Sequence, residues 1–167
     1  MKRILILAAV FFISYNSNAQ SYFKGEWTKL NKNDLFTGIF KITIKNVGTV
    51  SGELLWTYLA IDSSDNFLKE HYKGKKGRSG IEYVVGTIDT KTNEIYFEGK
   101  SKDDPNDILG LDKYSLKLSA NKKVLYGKTD SNGGKDGMFY GIKMNAAAGA
   151  KEFNAIRSKM KHKKHTR

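Results

Sequence analysis

Apolar and polar residues alternate along seven stretches of this chain. In the first clear example, Phe40, Ile42 and Ile44 share one face, and lysine and threonine side chains take the other. The same period of two recurs at residues 54–58, 81–85, 95–97, 114–118, 124–126 and 138–144. A period of two predicts strands that bury one face.

Two further segments raise the predicted strand count to eight or nine, namely residues 23–29 and, more weakly, residues 68–73. Short turns such as Asn46-Val47-Gly48 predict antiparallel neighbours. About eight such strands can close on themselves and remove their edges. We therefore predict an all-β fold, a single antiparallel up-and-down β-barrel of about eight strands with a short C-terminal helix. A two-sheet sandwich is the alternative.

The two ends of the chain differ from this alternating body. Lys2 and Arg3 precede an apolar run, and Ser17-Asn18-Ala19 supplies the small residues that a signal peptidase reads. The apolar run is about half as long as a bilayer span, so a cleaved signal peptide at residues 1–19 is predicted. The barrel domain is then 20–145, and 146–167 is a helical basic tail.

Cysteine is absent from the chain. Disulfides therefore cannot stabilise it, and the lipid anchor of a bacterial lipoprotein cannot form. We predict a secreted or periplasmic protein without a transmembrane span, and a bacterial envelope suits it better than a eukaryotic secretory route.

The formal net charge of +12 is concentrated at the chain ends. The signal segment carries +2 and residues 151–167 carry +6, which leaves +4 for the remaining residues. A mildly basic body gives no reason to expect specific nucleic-acid binding.

Residues 25–27, Gly-Glu-Trp, resemble the Gly-x-Trp opening of calycins, the lipocalin and avidin group. Residues 38–44 and 50–54 look like an avidin-type first hairpin. The resemblance implies a barrel in which Trp27 packs across the closed end as a structural residue. It implies no particular ligand, because the biotin-contacting residues of avidins have no match here one by one.

A barrel of this kind would hold a small apolar or amphipathic ligand, which is the function we favour from the sequence. Aromatic residues on the predicted inward faces would orient the ligand through their hydroxyl and indole groups. The predicted ligand-binding residues are Trp56, Tyr58, Tyr83, Tyr114, Tyr126 and Tyr140. Alternatively, these rings simply fill the barrel.

A basic segment punctuated by glycine suggests a second function, a pocketless interaction or inhibitor module of the cell envelope. Its predicted interaction surface comprises Lys69, His71, Tyr72, Lys75, Lys76 and Arg78. We expect this segment to form an exposed hairpin loop. The expected partner is accordingly a small-molecule ligand or an envelope protein.

Catalytic and cofactor motifs are missing from the sequence. His71 is the one histidine of the body, because His162 and His165 belong to the basic tail, and no motif supports a nucleophile–base pair. The aspartates between residues 103 and 112 suit a turn better than a calcium loop, since their spacing is not that of an EF-hand. We predict a protein that is not an enzyme, with no catalytic residue, metal site or cofactor.

The tail carries one narrow apolar stripe at helical spacing, formed by Phe153, Ile156 and Met160 among lysines and arginine. Packing of this helix on the barrel is the favoured interpretation. Weak contact of the tail with an anionic membrane surface is the alternative.

Overall fold

Eight antiparallel strands close into a barrel in the computed structural model, over the residues it describes. These are residues 19–29, 35–45, 48–61, 66–131 and 137–162. The strands are β1 (Ala19–Lys29), β2 (Leu35–Ile44), β3 (Thr49–Ala60), β4 (Ser79–Asp89), β5 (Glu94–Asp103), β6 (Asp112–Leu118), β7 (Val124–Ser131) and β8 (Gly137–Lys143). Each strand pairs with the next, and β8 pairs with β1. The predicted up-and-down barrel is confirmed, and the sandwich alternative is wrong.

The predicted inward faces of β2, β3, β5 and β6 are confirmed. Phe40 and Ile42 of β2 are buried in the interior cluster, together with Leu54 of β3, Phe97 of β5 and Leu116 of β6. On these strands the alternate positions are more polar, so the alternation identifies which face is buried.

The predicted inward face of β4 is wrong. Ile81 and Tyr83 belong to a second apolar cluster outside the barrel wall, whereas Glu82 and Val84 point inward. The C-terminal helix α2 (Ala146–His162) covers this outer face. Both faces of β4 are therefore buried over residues 79–84, and alternation alone cannot say which of them is the inner one.

The inward faces predicted for β7 and β8 are also wrong. Leu125 and Phe139 are the buried interior side chains, whereas Tyr126 and Tyr140 are exposed on the outside. Glycines stand two residues before and two residues after Phe139 on the inner face of β8. Most of the large apolar side chains of β8 thus lie on its outer face, so the alternation on this strand indicates the wrong face as the buried one.

Aromatic rings from separate strands meet in the middle of the barrel. The ring centroid of Phe139 lies 4.7 Å from that of Phe40, 5.9 Å from that of Trp56 and 6.3 Å from that of Tyr114. All four side chains are buried. Tilted and edge-on ring pairs of this kind contribute about 0.5–1.5 kcal/mol each beyond the burial of their area.

Trp27 is a core residue, as the Gly-x-Trp resemblance implies. Its ring packs edge-on against Phe36 at 5.7 Å, and its indole N–H donates to Thr129 Oγ1 at 2.5 Å. Gly137 makes room for the indole, because a Cβ there would lie 2.3 Å from it.

The predicted packing of the C-terminal helix on the barrel is confirmed. Phe153 and Met160 of α2 are buried against a cluster that includes Tyr22, Ile39 and Leu55 of the outer wall. None of the helices in the described residues is long and apolar enough to cross a membrane. The predicted signal peptide and residues 163–167 of the tail fall outside the description, apart from Ala19, and their assignments stay predictions.

The weak strand candidate at residues 68–73 is wrong, because Asn66–His71 form the short helix α1. Leu68 is its buried side chain, and the chain then turns through Gly74 and Gly77, which have φ of 70° and 74°. Glycine suits these two positions because positive φ strains other residues.

Candidate functional site

The structure brings half of the predicted ligand-binding residues together. Trp56, Tyr58 and Tyr114 lie in the interior cluster. Tyr83 instead lies outside the wall in the cluster beneath α2, and Tyr126 and Tyr140 lie on the exposed outer surface. The inward orientation predicted for these last three residues is wrong, and the ligand-binding role of the set stays a prediction.

An acidic side chain that the sequence did not single out, Glu82 of β4, is buried in the interior and 1% exposed. The Tyr114 hydroxyl donates to Glu82 Oε2 at 2.5 Å, and the backbone N–H of Asp112 donates to Oε1 at 2.9 Å. Trp56 contributes a further side-chain hydrogen bond. No cationic side chain among the described residues forms an ion pair with Glu82. Neutral donors therefore hold this carboxylate.

Burial raises the pKa of Glu82 from 4.5 to about 7. The hydrogen bonds from Tyr114, Asp112 and Trp56 oppose this increase, and the negative charge of Asp112 adds to it. Burial and the nearby charge of Glu82 also raise the pKa of Tyr114 well above 10, so its hydroxyl remains a donor. Glu82 consequently changes its charge close to neutral pH.

Residues 104–111 form a loop that closes the barrel end next to Glu82. Ile108 of this loop is buried in the interior cluster. Asp104 Oδ2 accepts from the backbone N–H groups of Ile108 and Leu109, both at 2.7 Å. This is the turn role that the sequence predicted for the aspartates. Asp112, directly after the loop, donates to Glu82, so the loop and the carboxylate are linked.

The predicted basic surface folds against the same loop. Tyr72 stacks on Tyr58 with ring centroids 4.7 Å apart, and its hydroxyl donates to the carbonyl oxygen of Ile108 at 3.0 Å. An exposed hairpin was predicted here, and the prediction is wrong for Tyr72, because its ring covers the barrel end.

Two more residues of the predicted basic surface bind that loop through Asp107. His71 Nε2 lies 2.9 Å from the Asp107 carbonyl oxygen, and Lys75 Nζ donates to the same oxygen at 3.0 Å. The remaining members lie further out, with Lys69 and Lys76 exposed and Arg78 half-buried. The segment is thus partly a lid on the barrel and only partly a free surface.

Four large apolar side chains are exposed together on the outer face of β7 and β8. Tyr126 lies opposite Tyr140 in the strand register, and Met138 and Ile142 lie on either side of Tyr140 along the same face. Their exposed fractions are 41% for Tyr126, 51% for Tyr140, 39% for Met138 and 54% for Ile142. We call these four residues the outer stripe.

Lysines border the outer stripe on the neighbouring strands. The strand register places three lysines opposite stripe residues or next to them on neighbouring strands: Lys24, Lys117 and Lys128. Lys122 lies in the turn before β7, near the Ile142 end of the stripe. Lys123 and Lys143 are paired at the same barrel end but belong to the opposite face, because Lys143 follows Ile142 and pairs with Phe23 of the interior. Glu26 is the acidic residue that pairs with Tyr140 in the register. Lys24 also bridges to Glu152 at 2.8 Å, and Lys117 lies 3.9 Å from Glu94.

The molecule is a closed eight-stranded antiparallel barrel with a helix on its outer wall, a buried acid at one end and an exposed apolar group on its outer face that is bordered by lysines. No family model, curated protein or solved structure matches the chain.

Proposed function

We propose that this protein is an exported interaction module of calycin-like shape that binds its partner through the outer stripe. The proposal rests on a difference between the inside and the outside of the barrel. Rings in mutual contact take up the middle of the barrel, while four large apolar side chains are exposed together outside it. Contiguous exposed apolar residues with a polar rim are typical of interaction sites.

The closed sheet dictates how a partner can be recognised. Every strand is paired on both sides, so the barrel has no edge strand to which another chain could add a strand along its whole length. Recognition must then come from side chains. The Tyr126–Tyr140 pair suits this role, since tyrosine offers a large rigid contact area and a polar hydroxyl.

The outer stripe is a better interaction surface than the basic segment at residues 69–78. Tyr72, His71 and Lys75 already bind the loop that closes the barrel. By comparison, no residue of the described chain covers Tyr140 or Ile142, which are more than half exposed.

Export outside the cytoplasm is part of the proposal. It is supported by the basic, apolar and small-residue order of residues 1–19 and by the absence of cysteine. A secreted or periplasmic protein would meet envelope surfaces directly.

Photo-crosslinking in producing cells tests the proposal. A photoreactive phenylalanine analogue at position 140 should give covalent adducts. The same analogue at position 96 should give few, and Tyr96 is a matched control because it is also a 51% exposed tyrosine on an outer strand face. It differs in being flanked on that face by Glu94 and Glu98 rather than by apolar residues. Equal labelling at both positions, or none at either, would refute the proposal.

A second function, binding of a small amphipathic ligand inside the barrel, is favoured by Glu82. A buried titratable group with a perturbed pKa is a frequent feature of functional sites, and Trp56 and Tyr114 lie beside it. The ligand would have to displace Ile108 and its loop. Native mass spectrometry of the mature protein purified from its own envelope tests this function: a co-purified small molecule supports it, and the mass of the bare chain alone counts against it.

A further inference from the structure

The outer stripe has the residue types of a membrane interface. Tyrosine is enriched at the boundary between lipid and water because its ring is apolar and its hydroxyl stays hydrated. Tyr126 and Tyr140 form a cross-strand pair at the centre of the stripe, and the aliphatic side chains of Met138 and Ile142 flank Tyr140. The stripe can therefore place apolar groups below the head groups and hydroxyls among them.

The charged side chains beside the stripe indicate which kind of surface it binds. Lys24, Lys117 and Lys128 border the stripe on the same outer face and Lys122 lies in the turn before β7, whereas Glu26 is the acidic residue paired with the stripe in the described strands. A second copy of the chain docked on this face would bring lysines against lysines, which disfavours a symmetric dimer. An anionic surface has the complementary charge, and each lysine close to such a surface strengthens binding by roughly fivefold.

The convex shape of the barrel wall also favours a lipid surface over a protein partner. The outer wall of a closed barrel is convex, and the stripe lies on that wall rather than in a groove. A protein partner would need a concave surface of matching curvature. A lipid interface deforms around a convex apolar patch, so it needs no matching shape.

The tail helix cannot supply the apolar anchors for such contact. Phe153 and Met160 are buried against the barrel wall, and Ile156 is partly buried in the same cluster. The apolar stripe of α2 is therefore used within the molecule. Any membrane contact through α2 would depend on its basic side chains alone.

We infer that the outer face of β7 and β8 docks on an anionic lipid bilayer. The stripe enters the interface, and Lys117 and Lys128 lie among the head groups. This inference rests on the proposed function, because it uses the same stripe and names its partner.

Vesicle flotation with the mature chain, residues 20–167, tests the inference. The chain should float with vesicles of equal parts phosphatidylglycerol and phosphatidylcholine, and bind pure phosphatidylcholine at least tenfold more weakly. Raising the salt concentration should weaken the anionic binding, because salt screens the lysine charges. Tyr140→Ser combined with Ile142→Ser should lower the affinity at least tenfold, and Tyr96→Ser should stay within about twofold of the unaltered chain.

The contribution of charge is tested separately. Lys117→Gln combined with Lys128→Gln should weaken binding to the anionic vesicles by about tenfold or more. The same loss of two charges from the tail, Lys163→Gln with Lys164→Gln, should weaken it less. All these side chains lie outside the barrel core or in the tail, so an unchanged thermal midpoint serves as the check on folding.

Three results would overturn the inference: no binding of the folded chain to anionic vesicles, an equal loss for Tyr96→Ser and the stripe variant, or a greater loss from the tail lysines. If vesicles are not bound but position 140 still forms a protein adduct in cells, the lipid partner is wrong and the proposed function stands. If vesicles are not bound and position 140 forms no adduct, both fail.

Discussion

Replacing Glu82 by glutamine should stabilise the protein at neutral pH and reduce the dependence of its stability on pH. The carboxyl group has a pKa of about 7 in the folded protein and an ordinary value of 4.5. The folded state therefore binds this proton more tightly than the unfolded chain does. Above pH 7 the folded protein holds a buried charge without a cationic partner in the described residues, and that charge opposes folding.

The size and sign of the effect follow from the two pKa values. The interval from 4.5 to about 7, at ~1.4 kcal/mol per pH unit, corresponds to ~3 kcal/mol. This contribution to stability is fully present below pH 4.5, declines as the pH rises, and is lost above about pH 7. Glutamine never ionises and avoids the loss. The amide nitrogen of glutamine cannot accept the hydrogen bond that the Tyr114 hydroxyl donates to Glu82 Oε2. This mismatch costs about 1 kcal/mol. The variant should be ~2 kcal/mol more stable at pH 8 and ~1 kcal/mol less stable at pH 4.5.

Urea unfolding at these two pH values measures the difference. Tryptophan fluorescence reports on the transition, because Trp27 and Trp56 are both buried in the core. Glu26→Gln is the control, since Glu26 is an exposed glutamate on β1 that forms none of the ion pairs of the described residues. The reasoning is refuted if the free energy of unfolding of the Glu82→Gln variant changes with pH as steeply as that of the unaltered chain.

Two further predictions concern stability. Phe153→Ala should lower the free energy of unfolding by about 3–5 kcal/mol, because Phe153 is the most buried anchor of α2 on the barrel; urea unfolding measures this, and a change below about 1 kcal/mol would contradict the packing. Gly25→Ala should prevent folding or nearly so, because a Cβ there would lie 2.1 Å from the Tyr140 carbonyl oxygen on the paired strand. Gly110→Ala, whose nearest contact would be 3.4 Å, should keep a normal thermal midpoint, and equal behaviour of the two variants would exclude the close approach of β1 and β8.

The strands and their closure were predictable from the sequence because they depend on local pattern. Alternation with polar residues, as in Phe40-Lys41-Ile42, identifies a strand and its buried face together. Alternation between two apolar faces, as at Ile81 and Val84, identifies the strand and leaves the buried face open. The covering helix decides that question on β4, and its contact with β4 joins residues far apart in the sequence.

The burial of Glu82 could not be predicted from the sequence, because it too depends on the helix that covers β4. Glu82 stands between Ile81 and Tyr83, which share the face that alternation predicts to be inward, so the glutamate is assigned to solvent. Once α2 covers Ile81, the assignment reverses and Glu82 enters the barrel. The position of the 104–111 loop and the hydrogen bond from Asp112 depend in turn on that reversal.

Two groups of apolar residues on the outer wall of the barrel differ in whether the chain itself covers them. On the side of β1 to β4, residues such as Ile39 and Ile81 are buried because Phe153 and Met160 of the chain's own helix lie over them. On β7 and β8, no described segment covers the outer stripe. Because these side chains stay exposed, folding gains little of the roughly 25 cal/mol per Å² that burial of their apolar area would supply, so the stability of the barrel does not explain apolar residues at these positions. On the side of β1 to β4, the chain's own helix α2 covers the apolar face and buries it. Under the proposed function, the outer stripe is a similar apolar face whose cover is the binding partner.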